Sequence, residues 1–443
     1  MLFAAALCVL FAGAYLAVKN PIVFTIYWGL FGSSYDACGI MSLLNSGFGY
    51  YRLCMNAILL MCCIGSSIYF FRRPPKKATA KYMVAAWMFM FGIFVSQSIV
   101  FISEDISFMN LSYGFVDYGP SVFIIWLANY EKISEKMNIR RYLIGFIIIQ
   151  VMLACLIIFT KKSGIHFLDS ICGSNYISDG NIYNRNILDS IVGLPYMFVN
   201  KYLYNGLGQF HNGNDMGFYG AAGILAGIFL AKEGQKLWHK TVGIILIYFS
   251  LLIWGNSGMR GPVVGIICGV ILSFALYKKP SKWIVGVLAT LGVVAFLFSE
   301  TGLELINYLL PDSSDISYTE RETLRENGLR YIQDNWLLGA GGLLGNLTAQ
   351  EIDPHELPLR ISCLFGVGTG FISAVLIYAM PIIDFVKKKK TDLFTIIGYA
   401  IVFFVSITDN YTCIALFYFL FAEAVCTMCY RTQTDIYRYT RGE

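Results

Sequence analysis

The sequence predicts an all-α, polytopic membrane protein with 12 or 13 transmembrane helices. Hydrophobic residues make up 57% of the chain and charged residues only 14%, beyond the ~45–50% apolar content of soluble globules. The apolar runs are long and continuous, as spans of ~20 helical residues require, and do not alternate over ~10 residues like barrel strands. Basic residues collect on alternate connections, as the positive-inside rule demands.

The expected spans lie near 2–18, 21–45, 51–71, 82–102, 110–129, 142–160, 215–231, 241–256, 261–277, 283–300, 359–386, 393–408 and 411–429; the second is weak, interrupted by Gly and Ser. The first run has no basic n-region and no small-residue cleavage site, so it reads as a retained helix. Counted in order, the basic segments 72–77, 132–141, 232–240, 278–282 and 387–390, with Arg431, Arg438 and Arg441, fall on one side, the cytoplasm. The long connections 161–214 and 301–358 then face outward as two long loops of one membrane domain, 1–443. Connections this long usually carry function. The net charge of +5 is mostly this topological bias, so nucleic acid is not an expected partner. Cysteines lie mainly in apolar spans, where a thiol behaves as a small hydrophobe.

The segment from Glu320 to Gly366 is polar inside an apolar chain, and charge beside lipid is costly. It holds Arg321, Arg325 and Arg330, the turn Gly339-Ala340-Gly341, and Asp353-Pro354-His355. Thr319 with Glu322 fits a capping box, so a surface helix is expected from there to Gln333, stopping near Asn335 to Gly339. Arg321 and Arg325, four apart, would share one face. Residues 300–358 carry eleven acidic side chains against these three arginines, so pairing with neighbouring carboxylates competes with a ligand role, most of all for Arg330.

Arg260 sits in Asn256-Ser257-Gly258-Met259-Arg260-Gly261, a tight outer turn in which a guanidinium grips phosphate oxygens in bidentate fashion or snorkels to the interface. Of four histidines, His355 lies where the outer loop returns to the membrane, flanked by Asp353 and Glu356. An imidazole with a pKa near ~6.5 accepts a hydroxyl proton at neutral pH, with a carboxylate holding the useful tautomer. His211 and Asn214 close a turn-rich stretch before the seventh span. Neither an HExxH nor a DxD triplet occurs, so a metal-independent reaction is expected, with no cofactor.

Many spans, a Gly-rich Asn motif entering a helix, a Ser-Gly-x-Arg-Gly turn, then an Arg before a surface helix, Gly-x-Gly and a His: this pattern, over residues 200–385, resembles the O-antigen polymerase and O-antigen ligase superfamily. Arg321 precedes Gly339 by 18 residues and His355 precedes Gly366 by 11, matching the family's spacings. Two positions depart from the pattern. Asn205 stands where an Arg is common, with Lys201 a turn away as a substitute, and Glu356 replaces the Asn that usually follows the His. The resemblance implies a GT-C-like polytopic enzyme on the outer face of the bacterial inner membrane. It would transfer a glycan from undecaprenyl pyrophosphate to the sugar of another lipid-linked repeat unit. Arg260, Arg321 and Arg325 would hold the pyrophosphate, His355 would position or deprotonate the acceptor hydroxyl, and Arg330, Lys201, His211 and Asn214 would line the substrate site. Tyr318 and Tyr331 would offer stacking faces for sugars. The partners implied are the lipid-linked oligosaccharide, the bilayer and a chain-length regulator protein. The ligase branch, which transfers glycan to lipid A-core, shares these motifs. A transporter of lipid-linked sugars is the non-enzymatic alternative; it would place ionisable residues and broken helices at mid-membrane, whereas the charges here are expected in outer loops and at span ends.

Overall fold

The computed structural model describes residues 1–33, 36–73, 77–104, 120–162, 213–234, 236–257, 261–276, 316–343, 347, 352–388, 392–408 and 414–430. Among these the regular structure is entirely helical. In chain order the helices are α1 (Leu2–Lys19), α2 (Pro21–Phe31), α3 (Cys38–Gly47), α4 (Tyr51–Phe71), α5 (Lys77–Glu104), α6 (Ser121–Ser134), α7 (Ile139–Lys162) and α8 (Gly213–Glu233). There follow α9 (Leu237–Ser257), α10 (Gly261–Leu276), α11 (Ile316–Asn335), α12 (Leu357–Phe365), then α13 (Val367–Ala374, a π turn Val375–Ala379 and Met380–Lys388), α14 (Leu393–Thr408) and α15 (Ala415–Tyr430).

Among the described residues six helices are long and apolar enough to cross a membrane, and five shorter apolar helices accompany them. Large apolar side chains such as Phe11, Met61, Phe91 and Met152 stay exposed on the outside of the bundle, the surface that lipid covers. The chain is therefore a polytopic all-α membrane protein. The expected span 283–300 lies outside the described residues, as do most of the loop 161–214 and the first part of the loop 301–358.

Two expected spans are broken. The second resolves into α2 and α3, and the expected span 359–386 divides at Gly366 into α12 and α13, because Gly366 adopts φ 87° and reverses the chain. Elsewhere, missing side chains permit close packing. A Cβ on Gly227 of α8 would lie 2.6 Å from the Gly243 carbonyl of α9, so small residues let these two backbones meet, the usual solution where lipid supplies no hydrophobic drive between helices.

Charges the sequence scattered along the chain meet inside the bundle. Arg140 of α7, 2% exposed, sets Nε 2.9 Å from Glu423 of α15 and places its two Nη donors 3.0 Å from the Asp392 oxygens. Asp392 also caps α14 by accepting the Thr395 amide over 3.0 Å. The guanidinium lies over the Phe394 ring at 4.6 Å. Lys81 and Tyr82 of α5 both donate to Asp384 of α13, over 2.7 and 2.9 Å. These pairs join α5, α7, α13 and α14 at the ends expected on the basic side. In the break between α2 and α3, buried Asp36 accepts the Ser33 and Tyr219 hydroxyls and the Ala415 and Leu416 amides at the start of α15. Asp36 thus caps a helix nearly 380 residues away in sequence. Glu423 and Asp36 fall within apolar runs, contrary to the expectation that charges keep to loops and span ends, and each has a structural partner.

Removing one member of a buried ion pair strands the other, at a cost of about 3–5 kcal/mol. Glu423→Ala is therefore expected to lower the unfolding midpoint of the detergent-solubilised protein clearly. Glu326→Ala, which removes the exposed partner of Arg330, is expected to leave it within ~0.5 kcal/mol of wild type; scanning fluorimetry of both variants checks the contrast.

Candidate functional site

Helix α11 runs from Ile316 to Asn335, so a helix is present here and stops where expected. Its start is three residues earlier than the capping box placed it. Thr319 lies inside the helix and does not cap it. Arg321, Leu324, Gly328, Tyr331, Ile332 and Asn335 are buried or half-buried and recur at helical spacing, while Glu322, Arg325, Glu326, Arg330 and Asp334 are exposed. The buried stripe packs on α12. Gly328 meets Cys363 and Pro354, and the Cys363 thiol points at the Gly328 carbonyl at 3.6 Å.

After α11 the chain folds back over the reversal at Gly366. Gly339, Gly341 and Gly342 take φ of 60°, 61° and 83°, a left-handed region that penalises any side chain. This geometry turns the Ala340 and Gly342 amides onto the Cys363 and Leu364 carbonyls, at 2.8 and 3.1 Å, and the Val367 amide donates to Trp336 at 2.8 Å. Space agrees with dihedral preference: a methyl on Gly366 would overlap the Leu337 carbonyl, and one on Gly341 would overlap Val100 of α5. Ser96 of α5 also donates to the Leu338 carbonyl over 2.5 Å.

This backbone clasp brings the arginine helix to the histidine loop. Arg325 sets Nε 3.3 Å from the Glu356 carboxylate, with side chains 59% and 39% exposed. His355, half-buried, is the residue before Glu356. Arg321 lies one turn before Arg325 on the same helix. On the other flank of His355, Asp353 is held by Arg360, with Nε 2.8 Å from Oδ1 and Nη2 donating to Oδ2 over 3.2 Å. Both carboxylates expected to orient the imidazole are therefore engaged by guanidinium groups. Tyr378 of α13 is within electrostatic reach of Glu356, and its hydroxyl donates to the Ser406 carbonyl near the end of α14 over 3.2 Å. The neighbouring Thr408 packs on Gly261, the first residue of α10.

Residues 243–363 match the family model described as O-antigen ligase. The match over this segment is consistent with the O-antigen polymerase and ligase superfamily. The superfamily segment runs from α9 into α12, and so contains Arg260, Arg321, Arg325, Arg330, His355 and the newly seen Arg360. The match supports a polymerase- or ligase-class function and suggests a glycosyltransferase-type activity on lipid-linked sugars. No curated protein and no solved structure matches the chain.

Of the residues the sequence singled out, Arg325 meets Glu356, the neighbour of His355, and Arg321 lies one turn before Arg325 on α11. Arg330 points away from this group and pairs with Glu326 at 3.7 Å on the exposed face. That is the carboxylate pairing which competed with a ligand role. Arg260, Lys201 and His211 lie outside the described residues, and Asn214 is the second residue of α8. Tyr331 packs against the core beside Cys363, and burial pushes its phenol up from the usual range; Tyr318 is the third residue of α11. Among the described residues no group of His, Cys, Asp and Glu side chains is arranged to hold a metal ion. Sequence reasoning missed Arg360, though the Asp353-to-Arg360 spacing, which spans the start of α12, was a signal.

Gly366→Ala is expected to strain the reversal and loosen the clasp by at least ~1–2 kcal/mol. Hydrogen exchange at the Ala340 and Gly342 amides should accelerate, while α4 and α6 amides stay protected. Unchanged exchange at those two positions would contradict this account of the clasp.

Proposed function

We propose that this protein is an O-antigen polymerase, a metal-independent glycosyltransferase on the periplasmic face of the bacterial inner membrane. It would take a glycan from undecaprenyl pyrophosphate and join it to the sugar of another lipid-linked repeat unit. The observation that supports this most is the Arg325–Glu356 contact, which sets an arginine-bearing helix beside His355 within the superfamily segment.

The chemistry follows from these groups. The acceptor sugar hydroxyl attacks the anomeric carbon of the donor, and the bond from that carbon to the diphosphate oxygen breaks. The electron pair leaves on undecaprenyl diphosphate, and the hydroxyl proton goes to the His355 imidazole. Donors preorganised where charge develops act most strongly in the transition state, and Arg321 and Arg325 are the guanidinium groups the helix supplies. Arg325 meets Glu356 in a largely exposed pair, worth ~0–1 kcal/mol. A diphosphate therefore displaces the carboxylate at little cost and gains charge-assisted, bidentate bonds. Arg260 would add a third guanidinium from its turn, while Arg330, Lys201, His211 and Asn214 would serve the glycan. A chain-length regulator would act on the outside of this unit.

The ligase reading, with lipid A-core as acceptor, is the second one, favoured by the description of the matching family model. The polymerase reading rests on a sequence rich in aromatics, at 16%, and in cysteines, with 12, as polymerases of the superfamily tend to be. A transporter reading gains from the broken α2–α3 segment. It loses because the buried Asp36 and Glu423 are tied to helix ends and to Arg140.

Purified protein in nanodiscs, given lipid-linked repeat units, is expected to lengthen the glycan. Lipid A-core as the only effective acceptor would mark a ligase, and no new linkage would mark a transporter. Arg321→Ala and His355→Ala should each reduce elongation by ~100-fold or more, with the protein still inserted in the membrane. Arg330→Ala should stay within ~3-fold of wild type. Arg321→Lys should recover little, because an ammonium lacks the planar fork.

A further inference from the structure

We propose that Arg360 is a positioning residue that fixes the place of His355 by holding Asp353; only the activity used to read this out rests on the polymerase reading above. Arg360 is 5% exposed. Its guanidinium reaches back from the first turn of α12 to grip Asp353 across two contacts, 2.8 and 3.2 Å. The hydrogen bond from Nη2 and the close approach of Nε, both charge-assisted, hold the carboxylate in place. Pro354, next in the chain, is buried and packs on Gly328 of α11, and its ring restricts the backbone further. On the other side Glu356 is tied twice, by its carbonyl accepting the Arg360 amide over 2.8 Å and by its carboxylate meeting Arg325. Pro354 and His355 are therefore the two residues between the anchored Asp353 and Glu356, and Arg360 contributes to both anchors.

The burial of Arg360 separates it from the donor-binding arginines. Arg325 is 59% exposed and offers its guanidinium outward, whereas Arg360 is turned into the protein and engaged by Asp353. Its effect on chemistry must pass through the loop it holds. A displacement on the order of 1 Å in a reacting group costs on the order of 10²-fold in rate.

The test measures initial elongation rates against donor concentration in nanodiscs for wild type, Arg360→Gln, Asp353→Asn, His355→Ala and the His355→Ala/Arg360→Gln double variant. Arg360→Gln and Asp353→Asn are expected to lower kcat by ~10–100-fold, with KM for the lipid-linked donor little changed. In the His355→Ala background, Arg360→Gln should cause no further loss. A raised KM with kcat kept would make Arg360 a donor ligand and overturn the proposal, as would a full additional loss in the His355→Ala background. Asp353→Asn is nearly isosteric and carries the same comparison if Arg360→Gln does not fold; failure of both to fold would also overturn it, since a structural role then suffices. If the wild type extends no glycan, the polymerase reading falls by itself. The ring 15N resonances of His355, assigned by their loss in His355→Ala, then decide the positioning: they should shift in Arg360→Gln, and unmoved resonances overturn it.

Discussion

The backbone clasp between the Gly339–Gly342 turn and the reversal at Gly366 is the contact on which the functional end of the molecule depends. α11 is polar and short of apolar side chains, so burial alone would hold it weakly against a membrane bundle. Peptide groups do the holding, with Ala340 and Gly342 donating to α12 carbonyls and Val367 donating back to Trp336. Each such bond contributes roughly 1 kcal/mol net, and losing one inside a packed site leaves an unsatisfied group as well. Only glycine reaches the dihedral angles and fits the space at these turns. The arginine-to-glycine and histidine-to-glycine spacings therefore have a mechanical meaning: they set how far the guanidinium groups on α11 and the imidazole in the loop before α12 lie from a shared anchor.

The other end of the bundle is held by a different force. Arg140, Asp392 and Glu423 form a buried network whose members would each be prohibitively costly alone in an apolar interior. Asp36 plays a comparable role in the α2–α3 break, where four donors surround its carboxylate. These sites pin the starts of α14 and α15. The C-terminal end of α14 in turn touches both Gly261 and Tyr378, so it links the entry to α10 with α13. Rigid support of this kind suits a site that must hold charge in register.

Much of this was legible in the sequence, for physical reasons. Apolar run length gave the helices, and the helical spacing of Arg321 and Arg325 placed both on one element. The grouping of α11 with the His355 loop followed from glycines whose purpose was visible only by resemblance. What stayed hidden was non-local. Nothing in the run containing Glu423 tells that a guanidinium 283 residues away completes it. The capping box misled because Thr319 and Glu322 have the right spacing inside the helix too, and local patterns do not say where a helix begins when the chain before it also favours one. The span expected over 359–386 hid a reversal because one glycine in an apolar run looks the same whether it is helical or at φ 87°. The carboxylates beside His355 were visible, but the partner of Glu356 was not, since Arg325 approaches through the fold from another helix.

We propose that Arg321, Arg325 and His355 form one site for a glycan-bearing diphosphate. The most direct measurement is a cryo-electron microscopy structure of the protein in nanodiscs with undecaprenyl pyrophosphate bound. The account predicts diphosphate density between α11 and the 353–356 loop, with Arg325 released from Glu356 and both guanidinium groups on phosphate oxygens. Diphosphate seated elsewhere, with the Arg325–Glu356 contact intact, would contradict it.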